Sequence, residues 1–175
     1  MGVVLVGYRA CGKSHLARYL GQAWQLPHWD ADAILEQETG KAIPSIFADD
    51  GEQAFRDLEA DILRRLLARP GPFILATGGG VVEREANRRA LMTCRHLVVY
   101  QQAPIALILE RLERDAGDRP ALSSAGLLTE VPTILARRDP WYRQVADLTL
   151  TADQTLERRA LTISTALAKA EEAGV

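Results

Sequence analysis

Short apolar runs recur along the chain and alternate with longer amphipathic stretches. These runs are rich in β-branched residues and are bounded by glycine, proline or polar clusters, which is typical of buried strands. Val3–Val6 is the clearest run, and a brief one at Leu26–Trp29 ends at Asp30. The other predicted strands are Phe73–Ala76, His96–Tyr100 and Ala146–Leu150.

Apolar residues spaced three and four apart predict helices between these strands. The strongest such pattern is Glu52–Ala68, which ends before Pro70-Gly71-Pro72. The remaining predicted helices are Ser14–Trp24, Ala33–Thr39, Glu83–Met92, Pro104–Arg114, Leu128–Arg138 and Leu156–Ala173. The alternation favours a three-layer α/β/α fold with a parallel sheet, and such folds bind ligands at the carboxyl ends of their strands.

Composition adds limits on the kind of partner. The 175 residues contain no repeat, low-complexity block or linker-like stretch, so one domain, 1–175, is predicted. A net charge of −2 gives no general attraction for nucleic acid or a membrane surface. Cys11 and Cys94 form no disulfide framework, and no apolar run is long enough for a signal sequence or a membrane span. We therefore expect a cytoplasmic protein whose partners are small molecules. Independently of these limits, a monomer is expected.

Gly7–Ser14 matches the phosphate-binding motif G-x-x-x-x-G-K-[ST] at every fixed position. The motif follows a predicted strand and opens a predicted helix, which is the context it requires. Backbone N–H groups and the helix N-terminus favour an anion, Lys13 reaches the β- and γ-phosphates, and the Ser14 hydroxyl binds Mg²⁺. An ordinary glycine-rich turn is the alternative, but it leaves the match of both motif and context unexplained.

The class of nucleotide-binding protein can be narrowed further. A signalling GTPase needs an Asn-Lys-x-Asp guanine-binding motif and an Asp-x-x-Gly switch motif, and neither occurs in the sequence. A short chain with a single phosphate loop also disfavours a motor or a helicase. A small-molecule kinase remains, with ATP as co-substrate and Mg²⁺ as cofactor.

Several residues are candidates for binding the small molecule that accepts the phosphoryl group. Asp30 and Asp32 lie two apart after a predicted strand, where extended backbone would place both carboxylates on one face. A solvated loop or a helix cap is the alternative. Arg56 and Glu59 are neighbours on the predicted long helix, and a solvated, salt-bridged helix face is the alternative there.

Further candidates follow later in the chain. Gly78-Gly79-Gly80 comes at a strand end, where three glycines cost stability unless the backbone needs positive φ or close approach to a ligand. Arg119 lies in the polar segment 115–127 and either stabilises charge on the transferring phosphoryl group or is a solvated loop residue. Arg138 is predicted to end a helix, where a cation also favours the helix dipole.

Taken in order, these motifs resemble the shikimate kinase family over essentially the whole chain. The resemblance rests on Gly7–Ser14, Asp30-Ala31-Asp32, Gly51–Arg56 with Glu59, Gly78–Gly80, Arg119-Pro120 and Arg138–Tyr142. It implies a P-loop NTPase fold of the nucleoside monophosphate kinase type, with a five-stranded parallel sheet in the order 2-3-1-4-5. It also implies transfer of the γ-phosphate of ATP to the 3-hydroxyl of shikimate, which gives shikimate 3-phosphate in the route to chorismate.

The same resemblance implies a role for each candidate. The implied nucleotide-binding residues are Gly7, Ala10, Cys11, Gly12, Lys13, Ser14, His15, Arg111 and Arg119, with Arg114 as the alternative to Arg111 at adenine. The implied shikimate-binding residues are Asp32, Arg56, Glu59, Gly78, Gly79, Gly80 and Arg138. Lys13, Asp32 and Arg119 are implied to be catalytic, and Ser14 and Asp30 to attend Mg²⁺. Residues 31–62 are expected to form the substrate-binding segment and residues 113–127 a lid.

Two other functions remain open at this stage. A related kinase with another small acceptor, such as gluconate, would use the same arginines for a different acid. A nucleotide-binding regulatory module without catalysis is the second alternative, and the presence of Lys13, Ser14, Asp32 and Arg119 argues against it. One departure from the family lies in the phosphate loop, where Ala10 stands at a position that is glycine in many members.

Overall fold

The fold is built on one parallel sheet. The computed structural model describes residues 1–114 and 126–172, and five strands in these residues pair in the order β2-β3-β1-β4-β5. Every neighbouring pair is parallel, which confirms the topology implied by the resemblance. The strands are β1 (Val3–Val6), β2 (His28–Asp30), β3 (Ile74–Ala76), β4 (Leu97–Gln102) and β5 (Leu148–Thr151).

Helices cover both faces of this sheet. They are α1 (Lys13–Trp24), α2 (Ala31–Thr39), α3 (Ile43–Asp49), α4 (Gly51–Leu67), α5 (Glu85–Thr93), α6 (Ile105–Arg114), α7 (Leu127–Val145) and α8 (Leu156–Glu172). Val3 and Leu5 of β1 pack toward α1 and α8, whereas Val4 and Val6 pack toward α4. Successive side chains of a strand point to opposite faces, so a fully apolar β1 requires a core on each side.

Two helices differ from the sequence-based prediction. The short helix α3 was missed; Pro44 lies in its first turn, where the missing N–H costs no hydrogen bond. The prediction that a helix ends at Arg138 is wrong, because α7 continues to Val145 through Pro140. Tyr142 and Val145 are buried against the sheet, so tertiary packing outweighs the local preference to stop at Asp139-Pro140.

The candidate segments 7–14, 30–32 and 77–80, which the structure describes, meet at the carboxyl edge of the sheet, as predicted. Ala76 pairs with Leu5 of β1 and with Asp30 of β2, so the three strands end level with one another. The segments that follow these strands begin at Gly7, Ala31 and Thr77, and they therefore meet at one edge.

Two further observations bear on the surroundings of the protein. None of the helices in the described part of the chain has the length and apolar character that crossing a membrane requires. Cys11 is buried in the phosphate loop and Cys94 is partly buried, and neither forms a disulfide.

Candidate active site

The loop between β1 and α1 forms a cradle of backbone. Gly7 and Gly12 have φ angles of 146° and 99°, which side chains rarely permit. A Cβ on Gly7 would also lie 2.6 Å from the carbonyl oxygen of Gln101, so a side chain there is excluded by space as well. α1 begins directly after Gly12, and no side chain among the described residues caps it. Phosphate oxygens are the natural acceptors for the first N–H groups of such a helix.

Ala10 holds an unusual conformation within this loop. Its φ of 61° lies in the left-handed region, where a Cβ costs roughly 1–2 kcal/mol. Glycine adopts that conformation without the cost. The Ala10 carbonyl oxygen accepts a hydrogen bond of 2.9 Å from Arg111 Nη1. The loop is thereby fixed from outside, by α6.

Lys13 occupies the first position of α1 and folds back over the loop. Its Nζ donates to the carbonyl oxygens of Gly7 at 2.8 Å and of Tyr8 at 2.9 Å. The residue is only 7% exposed. The ammonium group is therefore held at the inner wall of the cradle, where the motif brings it to the β- and γ-phosphates.

A cavity of about 380 Å³ opens beside the cradle. One wall is formed by residues 10 and 12–15, and Arg111, Arg114 and Arg159 complete it. Every charged residue in this lining is basic, although the protein carries a net charge of −2. Such a local field favours a polyanion. Sequence reasoning missed Arg159, because it lies in α8, far along the chain from any motif.

The structure also separates the two arginines considered for the nucleotide. The guanidinium of Arg111 lies on the phosphate loop, bonded to Ala10 and 3.2 Å from where a Cβ on Gly12 would stand. Arg114 instead forms an ion pair of 2.6 Å with Glu110 on the exposed side of α6. His15 is exposed at the edge of the cavity. Arg111 is therefore the better placed of the two arginines.

The side chains of Asp30 and Ser14 bring a carboxylate oxygen and a hydroxyl oxygen into contact. Ser14 Oγ donates to Asp30 Oδ2, while Asp30 Oδ1 accepts from the backbone N–H of Asp32 at 3.0 Å and caps α2. The helix cap considered as an alternative is thus present, but only one oxygen serves it. Hydroxyl and carboxylate oxygens are ligands that Mg²⁺ prefers, so this pair fits that ion.

The expected geometry of Asp32 needs correction. Asp32 lies in the first turn of α2, not in extended backbone, so it does not share a strand face with Asp30. Its Oδ1 lies 2.7 Å from where a Cβ on Gly78 would stand, and Glu59 Oε1 lies at the same distance from that point. The two carboxylates therefore approach each other across Gly78, and Asp30 faces Ser14 instead.

Arg56 and Glu59 form a largely buried ion pair on α4. Arg56 Nη1 donates to Glu59 Oε2 at 2.8 Å, and the side chains are 11% and 5% exposed. A solvated helix face is therefore excluded. Glu59 Oε1 is buried without a hydrogen-bond partner among the described residues. Burial raises the pKa of the Glu59 carboxyl, against the opposing effect of the Arg56 guanidinium.

Gly78, Gly79 and Gly80 allow other groups to come close to the backbone. None of them has a positive φ. A Cβ on Gly79 would lie 2.9 Å from the backbone nitrogen of Arg9, and one on Gly80 would collide with the Arg56 guanidinium. The glycines thus let the backbone pass between the phosphate loop and the side chains of α2 and α4.

Arg138 reaches the same glycines from α7. Its Nε donates to Glu83 Oε1 at 2.6 Å and its Nη1 to the Gly79 carbonyl oxygen at 3.2 Å. Tyr142, one turn further along, donates its hydroxyl to the same carbonyl at 2.5 Å. Since Arg138 lies well inside α7, stabilisation of a helix C-terminus does not explain it.

A link between the phosphate loop and α7 was not predicted. Arg9 Nη2 lies 3.0 Å from Glu130 Oε1, and the Glu130 side chain is 5% exposed. The two residues are 121 positions apart, so no sequence spacing announces the contact. Arg119 and most of the expected lid, 113–127, lie outside the described residues.

Comparison with known proteins gives a consistent result. The family model described as shikimate kinase matches residues 9–168. Shikimate kinase of Thioalkalivibrio sulfidiphilus is 38% identical over 90% of this chain and 81% of its own length. That of Pseudomonas fluorescens is 41% identical over 87% of each chain. The solved structure of shikimate kinase from Acinetobacter baumannii in complex with shikimate has a TM-score of 0.87 and 34% identity, and covers 96% of this chain and 93% of that one.

The parallel sheet in the order 2-3-1-4-5, the phosphate loop after β1 and the basic cavity beside it define a P-loop kinase of the nucleoside monophosphate kinase type. The match of the family model to most of the chain places it more narrowly. The chain belongs to the shikimate kinase family, a family of enzymes that phosphorylate shikimate with ATP.

Proposed function

We propose that this protein transfers the γ-phosphoryl group of ATP to the 3-hydroxyl of shikimate. The observation that carries the proposal is the meeting of two sites at one sheet edge. The Gly7–Ser14 loop supplies a phosphate cradle, and the triple glycine beside it is surrounded by Asp32, Glu59 and Arg56. Family membership supports the same reaction.

Nucleotide binding is assigned to the loop and its basic cavity. Backbone N–H groups after Gly12 bind phosphate oxygens, and Lys13 stabilises charge on the β- and γ-phosphates as the transfer proceeds. Arg111 packs on the loop and extends the positive wall toward the rest of the nucleotide. Arg119 is proposed to contact the transferring group on the resemblance alone.

Ser14 and Asp30 are proposed as the protein ligands of Mg²⁺. Mg²⁺ in kinases is bound by one or two protein oxygens together with substrate phosphates and water, and when bound it neutralises charge on those phosphates. No cluster of three or more metal-binding side chains occurs in residues 1–114 and 126–172, which agrees with a site that the nucleotide completes.

Binding of the carboxylate group of shikimate is assigned to Arg56 and Arg138. Their guanidinium groups flank the triple glycine, one against Gly80 and the other bonded to the Gly79 carbonyl. Glu59 and Glu83 hold them in place, yet a guanidinium has five N–H donors and so keeps some for a substrate. Two partly buried arginines at one end of a site suit the single carboxylate of shikimate.

Binding of the reacting 3-hydroxyl of shikimate is assigned to Asp32. As the bond from the 3-hydroxyl oxygen to phosphorus forms, the bond from phosphorus to ADP breaks and the hydroxyl proton passes to the Asp32 carboxylate. Glu59 Oε1, a buried acceptor without a described partner, suits a neighbouring hydroxyl of the ring. Positioning and electrostatics are most of what phosphoryl transfer requires.

Three further expectations remain part of the proposal. Residues 31–62 and 113–127 are the proposed substrate-binding and lid segments of a single kinase domain. A cytoplasmic location is supported by two cysteines that form no disulfide. We also propose that the protein acts as a monomer.

ADP release tests the proposal. Protein and Mg-ATP are mixed with shikimate, with gluconate, or with no acid, and Lys13→Ala serves as the inactive control. ADP release is expected with shikimate only; release with gluconate and not shikimate would replace this proposal with the second candidate. Arg56→Ala should raise the KM for shikimate, whereas Arg64→Ala, an exposed arginine of the same helix, should leave it unchanged.

A further inference from the structure

Arg159 of α8 is a buried cation in the wall of the nucleotide cavity. It is 7% exposed and lines the same cavity as Lys13 and Arg111. Its Nε donates to the Thr155 carbonyl oxygen at 3.4 Å, a long hydrogen bond. Within residues 1–114 and 126–172 no carboxylate forms an ion pair with it. A positive charge is thus withdrawn from water without a direct ion pair, and Asp153 and Glu157 attract it only from a longer distance.

The surroundings make this burial more costly. Burial lowers the pKa of the Arg159 guanidinium, and the nearby charge of Arg111 lowers it further. A buried charge that lacks a partner destabilises a fold, and a like charge close by adds to the penalty. The arrangement becomes favourable when an anion enters the cavity, because both guanidinium groups then gain a common partner.

We propose that Arg159 is a nucleotide-binding residue that contacts the phosphate chain of ATP or ADP from the α8 side. The inference rests on the proposed function, since it places the nucleotide in this cavity. Lys13 and Arg111 are both bonded to the phosphate loop, and Arg159 adds a cation from α8 to the lining of the same cavity. The chain thereby adds a cation that no sequence motif contains.

One consequence separates a binding role from a structural one. If Arg159 stabilised the fold, replacing it with methionine would lower the Tm of the nucleotide-free protein. If Arg159 instead serves to bind the nucleotide, the Arg159→Met variant should have an unchanged or higher Tm without nucleotide. Its Tm should then rise less on adding ADP than that of the wild type.

Calorimetric titration with ADP provides the test. Arg159→Met should raise the Kd for ADP roughly tenfold or more, the loss expected for one charge-assisted hydrogen bond. Arg159→Lys keeps the charge and should recover part of the affinity. Arg158→Met removes the exposed neighbouring arginine of α8 and should leave the Kd within about twofold. The KM for shikimate should be unchanged in all three.

Two outcomes would overturn the inference, and a further control locates the failure. A Kd for ADP within twofold of wild type in Arg159→Met, or an equal loss in Arg158→Met, contradicts a direct contact. Arg111→Met is measured in parallel. If it weakens ADP binding and Arg159→Met does not, only the role of Arg159 fails; if neither does, the nucleotide lies elsewhere and the proposed site fails as well.

Discussion

The Nη1 atom of Arg56 donates a hydrogen bond of 2.8 Å to Oε2 of Glu59, less than one turn further along α4. The pair faces the interior of the site, not solvent, and the Arg56 guanidinium rests against the backbone of Gly80. The second oxygen of Glu59 faces Gly78 and Asp32. In the proposed site, this one ion pair places a cation for the carboxylate of shikimate and a hydrogen-bond acceptor for one of its hydroxyl groups.

Gly80→Ala should impair shikimate binding through Arg56. Gly80 has φ −93° and ψ −2°, which alanine adopts readily, but the new Cβ would lie 2.7 Å from Arg56 Cζ. The guanidinium is the flexible end of a side chain, so it moves and the fold survives. We expect the KM for shikimate to rise on the order of tenfold with the KM for ATP little changed, and the Tm to fall because the buried Arg56–Glu59 pair is disturbed.

The double variant Gly80→Ala/Arg56→Ala is the control for this mechanism. If Gly80→Ala acts only by displacing Arg56, it adds nothing to the KM effect of Arg56→Ala alone. Full additivity of the two effects would show that Gly80 acts by another route.

Asp30→Asn should separate the two functions of that carboxylate. Asparagine caps a helix about as well as aspartate, so stability should be close to wild type, whereas Asp30→Ala should lose about 1 kcal/mol of unfolding free energy. Loss of the negative oxygen beside Ser14 should raise the Mg²⁺ concentration needed for half-maximal turnover about 10- to 100-fold in both variants. An unchanged Mg²⁺ requirement in Asp30→Asn would leave Asp30 as a helix cap only.

Ala10→Gly should stabilise the protein. Ala10 holds φ at 61°, and glycine removes the steric cost of that conformation. After the entropic cost of glycine is subtracted, the free energy of unfolding should rise by up to about 1 kcal/mol. Ala136→Gly, an exposed position inside α7, should change it by a similar amount in the opposite direction. Urea unfolding measures both, and a loss of stability in Ala10→Gly would contradict the strain.

His96 should make stability depend on pH. Its Nδ1 accepts from the Gly2 backbone N–H at 3.1 Å, so Nε2 carries the proton donated to the Leu67 carbonyl at 2.9 Å. Burial lowers the pKa of His96 below its ordinary value of 6.5. The unfolded chain therefore binds a proton before the folded one does, and stability is complete above pH 6.5 and falls as pH decreases toward the folded-state pKa.

Urea unfolding between pH 7.5 and 5.5 tests this dependence. We expect the free energy of unfolding of the wild type to fall across this range and that of His96→Asn to change less. His15→Asn, at an exposed position, should behave like the wild type. Parallel curves for the wild type and His96→Asn would exclude His96 as the cause.

Much of the nucleotide side could be predicted from sequence, because its elements are contiguous. Gly7–Ser14 carries both the glycines that the backbone requires and the lysine that folds over it, within eight residues. The alternation of short buried strands and helices predicted a parallel sheet with its site at the carboxyl edge, whereas the strand order was implied only by the resemblance to the family.

The acceptor side was predictable only in part. The spacing of Arg56 and Glu59 indicates a pair, but burial of that pair depends on the path of the triple glycine above it. The position of Arg159 in the cavity and the contact between Arg9 and Glu130 depend on how α8 and α7 pack in the folded protein. No local sequence pattern predicts that packing. The extent of α7 was missed because burial of Tyr142 overrides the stop signal of Pro140.

Phosphorus–proton correlation NMR of the product formed from shikimate and Mg-ATP tests the proposed reaction most directly. In the proposed site, Arg56 and Arg138 bind the carboxylate of shikimate and Asp32 lies by its 3-hydroxyl. This arrangement predicts one phosphate ester, whose phosphorus couples to the proton on carbon 3. One ADP should form for each ester. An ester at another ring hydroxyl, or ADP formed without any phosphorylated acid, would contradict the proposed site.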